Sequence, residues 1–235
     1  MRTVLTIFVV AVAGGACSDG EAGLAPGVGD DPGTGTRTLV VEGAIVASPL
    51  RFNTAASRDF ETGFSLRVSR NNRPVATGTV TITSATGKVP LTYELGHWTG
   101  SAESYDEVYV LDVASGADRV DSVRIEGPDV HVFSEPPAGA TVPSNVPLLL
   151  KWRRTVEADA AAVRTETTDW IAIPDEGSYS LPGGALKDDG NRVVLHTLRL
   201  ARTNRLVPAG AAQGSSLSVT IENRLNVSTE PVPPL

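Results

Sequence analysis

The chain has 235 residues, a formal charge of −7 and a single cysteine. Its 41% hydrophobic content is enough for one or two buried cores. The acidic balance excludes binding driven by the phosphate backbone of nucleic acid, which needs a basic face, and one cysteine excludes an intrachain disulfide.

In chain order, residues 1–16 have the layout of an export signal. Arg2 is a minimal positive start, Val4 to Ala13 (VLTIFVVAVA) is an apolar run, and Gly14, Gly15 and Ala16 supply small residues before a cleavage point. The apolar run is too short for a bilayer core of roughly 30 Å, which takes about 20 helical residues.

The segment AGGACS around Cys17 resembles the lipobox of bacterial lipoproteins: Ala16 and Cys17 match it, while Gly14 stands where that family usually has Leu. The resemblance implies a diacylglycerol on the Cys17 thiol, cleavage before it and acylation of the new amine. The implied partner is then a membrane, the bacterial cell membrane or the outer membrane, reached through the lipid. Two or three acyl chains hold a protein firmly, at about 0.8 kcal/mol per buried CH₂. The alternative is plain secretion, cut after Ala16, with Cys17 left as a free thiol.

Residues 17–37 are rich in Gly, Pro and acid and show no hydrophobic period, so a disordered tether is expected. As a flexible coil it would reach on the order of 25 Å.

From residue 38 the pattern turns to period 2. FSLRVS sets Phe64, Leu66 and Val68 against Ser65, Arg67 and Ser69, and TGTVTIT sets Val80 and Ile82 against threonines. KVPLTYEL alternates Val89, Leu91, Tyr93 and Leu95, and EVYVLDV and DSVRI continue the series. Turn signals fall between them at Asn71-Asn72 and around Gly87. The Pro-rich stretch 128–143 reads as a last strand with Val130 and Val132, then a link. Beyond it PLLLKW carries Leu148, Leu150 and Trp152 on one face. RVVLHTLRLAR and SLSVTIENRLNV are the longest strands, the second showing Leu217, Val219 and Ile221, then Leu225 and Val227. VEADAAAVRTE, residues 156–166, is the one place where composition favours a short helix. The expected fold is all-β: two tandem antiparallel β-sandwich (Ig-like) domains, 38–133 and 134–230, after the signal peptide and tether.

The run NNRPVATGTVTIT with LGHWTG and YVLDVASG resembles the carboxypeptidase-regulatory-like or Ig-like modules of bacterial surface proteins. Pro74, Val75, Gly78, Val80, Ile82, Trp98, Gly100, Tyr109, Leu111 and Val113 fit that pattern, and Arg73 replaces its usual Gly. PPAGATVPSNVPLLLKW loosely resembles a fibronectin type III or Ig-like sandwich, with Trp152 as core tryptophan. Both resemblances imply a fold and carry no catalytic residues.

Chemistry is sparse. His97, His131 and His196 are far apart, His196 reading as a satisfied strand histidine, and no zinc, nucleophile-elbow or phosphate-loop signature occurs. KDDGNR reads as a tight turn rather than a calcium loop. The acids Asp118, Asp121, Glu126 and Asp129 read as solvated carboxylates, with weak Ca²⁺ binding left open. Trp98, with Tyr105 close by, is the candidate for an exposed aromatic contact; the competing expectation is that Trp98 packs over the sandwich edge. These readings give no metal, no cofactor and no enzyme. They give a lipid-anchored envelope protein with a binding or structural role, its partner an envelope protein or a glycan. The alternatives are a carbohydrate-binding accessory protein and, more remotely, a secreted hydrolase.

Overall fold

The computed structural model describes residues 33–190 and 192–230. Cys17 and the export segment lie outside them. The period-2 pattern resolves into three sheets. A five-stranded sheet orders Thr34–Gly35, Asp118–Glu126, Val108–Ser115, Thr79–Ser84 and Gly87–Pro90. A three-stranded sheet orders Val132–Glu135, Leu148–Arg153 and Ser178–Leu181. Both face one large sheet, running Ile171–Ile173, Ala160–Arg164, Val194–Leu206, Ser216–Thr229, Val40–Pro49, Phe60–Arg70, His97–Ala102 and Thr92–Glu94.

The protein is therefore all-β, with two sandwiches that share the large sheet as one wall. The first core joins Val80, Leu111 and Ile125 of the five-stranded sheet to Val41, Phe64 and Val219 of the large one. The second joins Phe133, Leu150 and Trp152 to Val163, Leu200 and Val227.

What unites the sandwiches is one long antiparallel hairpin. Val194–Leu206 pairs with Ser216–Thr229 from Val194↔Thr229 to Leu206↔Leu217. Leu217, Val219 and Ile221 belong to the first core, Leu225 and Val227 to the second. The free edge of Ser216–Thr229 is filled in turn by three segments: Val40–Pro49 in parallel, the Asn53 amide donating to the Arg224 carbonyl at 2.7 Å, and Thr141–Val142 in parallel. A chain division at residue 133 thus separates side chains that pack together. Val132–Glu135 also pairs with Leu148–Arg153 of the second sandwich, so Phe133 packs in the second core.

Two local expectations change. Ala160–Arg164 is a strand, not a helix: Ala161 and Val163 point into the second core, and that burial outweighs alanine's weak helical preference. Residues 33–37 belong to the fold rather than to a tether. Thr34 and Gly35 pair with Asp121 and Val120, and the Arg37 amide donates to the Gly210 carbonyl. By contrast Asn71 and Asn72, with φ of 49° and 60°, form the tight turn that their residue types specify.

Glycine is required where the first strand crosses the hairpin loop. Gly210 has φ +76°, and a Cβ there would sit 2.1 Å from the Thr34 carbonyl carbon. Gly210→Ala should cost about 2 kcal/mol or more, left-handed strain and steric overlap acting together. Gly116, φ +64° in open space, is the control. Urea unfolding of Gly210→Ala and Gly116→Ala should give the larger loss for the first; equal losses would remove the close approach as a constraint.

Candidate functional site: the seam between the two cores

Inward positions along the hairpin are apolar except at its outer end, where His196 and Thr229 meet, and at the junction of the cores. On one strand Leu198 and Leu200 are followed by Arg202; on its partner Asn223 interrupts Ile221 and Leu225, and both polar residues are fully buried. Across the hairpin Arg202 pairs with Ile221 and Leu200 with Asn223. Buried polar groups require partners, and here they find them on the segments that connect the sandwiches.

Arg202 Nε donates to Asp175 Oδ2 at 2.9 Å, and its Nη1 donates to Asp129 Oδ1 at 3.0 Å and to the Asp129 carbonyl at 2.9 Å. Its Nη2 donates to the Val156 carbonyl. Asp175, its side chain 0% exposed, also accepts from Trp152 Nε1 at 3.0 Å and the Ala158 amide at 2.8 Å. Asp129 accepts from the Thr155 amide at 2.6 Å. Burial pushes the Asp129 carboxyl up, but that amide and the Arg202 guanidinium outweigh it and hold the group below the usual carboxylate range. Glu107 goes the other way, raised by burial and by the Asp129 charge.

The connecting segment is held on its other side by two asparagines. Asn223 Nδ2 donates to the Thr54 and His131 carbonyls at 2.8 and 2.7 Å. Asn53 imitates a strand neighbour: its Nδ2 donates to the Phe133 carbonyl and its Oδ1 accepts from the Phe133 amide, at 3.0 and 2.7 Å. His131 is fully buried between these groups, Nε2 3.1 Å from the Leu200 carbonyl and Nδ1 without a hydrogen-bond partner. Burial, then the nearby Arg202 charge, pushes its pKa down to about 3. Asp175 thus accepts three hydrogen bonds, all from protein donors, and its side chain is closed to solvent. The seam acts as a clamp.

Trp98 and Tyr105 are not surface contacts. Trp98 is 5% exposed, donates its Nε1 to the Val75 carbonyl at 2.9 Å and meets Tyr93 edge-on at 5.5 Å. Tyr105 is 1% exposed between Phe60 and Tyr109, its hydroxyl donating to the Pro128 carbonyl. Burial pushes that hydroxyl's pKa up. In a chain with so few rings, burial of both gains more than display at a loop. The four acids single out different partners: Asp118 accepts from Thr38, Asp121 pairs with Arg119, Glu126 with Arg124, and Asp129 with Arg202. His196 is buried against Thr229 Oγ1 at 3.0 Å, and the Gly190 amide donates to Asp188 Oδ1 at 2.8 Å.

No family model matches the chain, and no curated protein does. Among solved structures it is similar to a biofilm associated protein, BSP domain, at 13% identity and TM-score 0.23, covering 83% of this chain and 30% of that one. It is also similar to the two-domain structure DIP-gamma IG1+IG2, at 10% identity and TM-score 0.24, covering 82% and 96%. The chain therefore spans under a third of the biofilm-associated structure. The architecture rests on the sheets and cores described above.

Proposed function

We propose that the chain is an exported bacterial envelope protein, lipid-anchored through Cys17, whose two sandwiches form one non-enzymatic binding or structural unit. The observation that carries the reading is the buried polar chemistry at the junction of the cores: Arg202 with Asp175 and Asp129, Asn223 with the Thr54 and His131 carbonyls, and Asn53 with Phe133. The fully buried carboxylate, Asp175, is turned inward onto three protein donors. Among the described residues no helix is long and apolar enough to cross a membrane.

Intact mass and detergent partitioning of the exported protein test the anchor. A mass gain equal to diacylglycerol plus one acyl chain, with detergent-phase recovery lost in Cys17→Ser, is the expected result. An unmodified thiol and aqueous recovery of both forms would make the protein secreted.

A further inference from the structure

We infer that the outer face of the large sheet, at the second sandwich, binds an acidic linear polysaccharide; this rests on the non-enzymatic binding role and names its ligand class. Three arginines stand in one cross-strand row. Arg164 is directly opposite Arg199, and Arg199 directly opposite Arg224. Residues so paired point to one side of a sheet, about 5 Å apart at Cβ, and like charges placed there destabilise it. The neighbours Val163, Leu198, Leu200 and Leu225 are buried in the core, so the three guanidinium groups stand on the outer face.

Their charge is only partly answered. Glu222 Oε1 serves both Arg199 Nη1 at 3.4 Å and Arg224 Nε at 2.9 Å, while Arg164 is exposed and has no hydrogen-bond or ion-pair partner among the described residues. The other nearby acid, Glu166, is committed to the Thr197 amide and stands 3.5 Å from His196 Nδ1. A fold that is acidic overall thus keeps a local row of cations at a stability cost.

Beside this row lies a second, made of alanines: Ala172 opposite Ala162, and Ala162 opposite Ala201. Trp170, immediately before Ile171–Ile173, is 41% exposed. The surface is thus a row of alanines beside a row of cations repeated at the interstrand spacing of about 4.8 Å, with the exposed Trp170 two residues before Ala172 on the side of the arginines. A chain of sugar rings with a carboxylate on each ring presents the complement: an apolar ring face for the alanines and a line of anions for the arginines, each able to take a guanidinium bidentately. A protein partner would need a broader patch centred on buried anchors, and the row is narrow and shallow.

The test is calorimetry of the full-length chain with polygalacturonate, using dextran as the neutral polymer and poly-glutamate as the acidic peptide. Polygalacturonate should bind, more weakly as salt rises, and dextran should not. Arg164→Gln, which breaks no contact and should leave the melting temperature unchanged or higher, should weaken binding by roughly 2- to 5-fold, the scale of one exposed charge pair. Arg164→Gln with Arg199→Gln and Arg224→Gln should abolish it. No binding to polygalacturonate, equal binding to dextran or poly-glutamate, or unchanged affinity in Arg164→Gln would each overturn the proposal. Partitioning through Cys17 is untouched by these changes, so either reading can fail alone.

Discussion

Arg202→Met should cost about 3–5 kcal/mol at neutral pH, the penalty for leaving a buried charge without its partner. The side chains of Arg202 and Asp175 are 0% exposed, and Arg202 also neutralises Asp129, which is 12% exposed. A methionine fills much of the volume but returns no donor to either carboxylate. Arg154, with Nε 3.7 Å from Asp175 Oδ1, is the nearest remaining cation and is not hydrogen-bonded through that atom. Urea unfolding at pH 7 measures the loss. A loss under about 1 kcal/mol at pH 7 would show that the seam is held by apolar packing alone.

The same variant tests how the cores are coupled. The strand Ser216–Thr229 supplies both, and its edge is completed by segments from each side. Wild type should unfold in one transition. In Arg202→Met the second sandwich, which loses Asp175 and the anchoring of Trp152 behind it, should melt first.

The alternation of Phe64, Leu66 and Val68, or of Leu148, Leu150 and Trp152, made the strands and their buried faces legible from sequence, because a strand with one face in a core must alternate. The sharing of one sheet between two cores was not legible as such, since which strand lies beside which depends on long-range pairing. Its trace was nonetheless present. Position 223 is skipped in the series Leu217, Val219, Ile221, Leu225, Val227, and Arg202 follows Leu198 and Leu200 at the same inward parity. A polar residue at core parity in each of two long strands marks a place where something other than core must face it. Its partners, Asp175, Asp129 and Thr54, lie 27, 73 and 169 residues away from those positions in sequence, too far for pattern to pair them. Trp98 and Tyr105 misled because turn-rich flanks resemble display loops, while a fold with few aromatics uses each ring for its core.

Acid should loosen the seam through His131. Its Nε2 faces the Leu200 carbonyl, which can only accept, so that nitrogen carries the proton of the neutral ring, and Nδ1 is buried with no acceptor beside it. Charging the ring would put a proton on Nδ1 in a dry site beside the Arg202 guanidinium, with Asp175 and Asp129 already committed to that arginine. The native pKa is accordingly about 3, against about 6.5 for an unfolded histidine. Between those values the unfolded chain binds a proton that the native state does not, so stability rises with pH across the window and is lost as pH falls from about 6.5 toward 3. The slope approaches about 1.4 kcal/mol per pH unit, or about 3 kcal/mol in all by pH 4. Asp129, held low by its seam partners, adds to the acid loss as pH passes below its ordinary value, and Glu107, raised, opposes it. His131→Gln keeps a donor for Leu200 and cannot titrate. It should flatten unfolding free energy between pH 6.5 and 4.5, above the range where the carboxylates dominate, whatever it costs at neutral pH. A wild-type profile already flat over that interval, or one unchanged in His131→Gln, would mean that the buried imidazole is not what acid attacks.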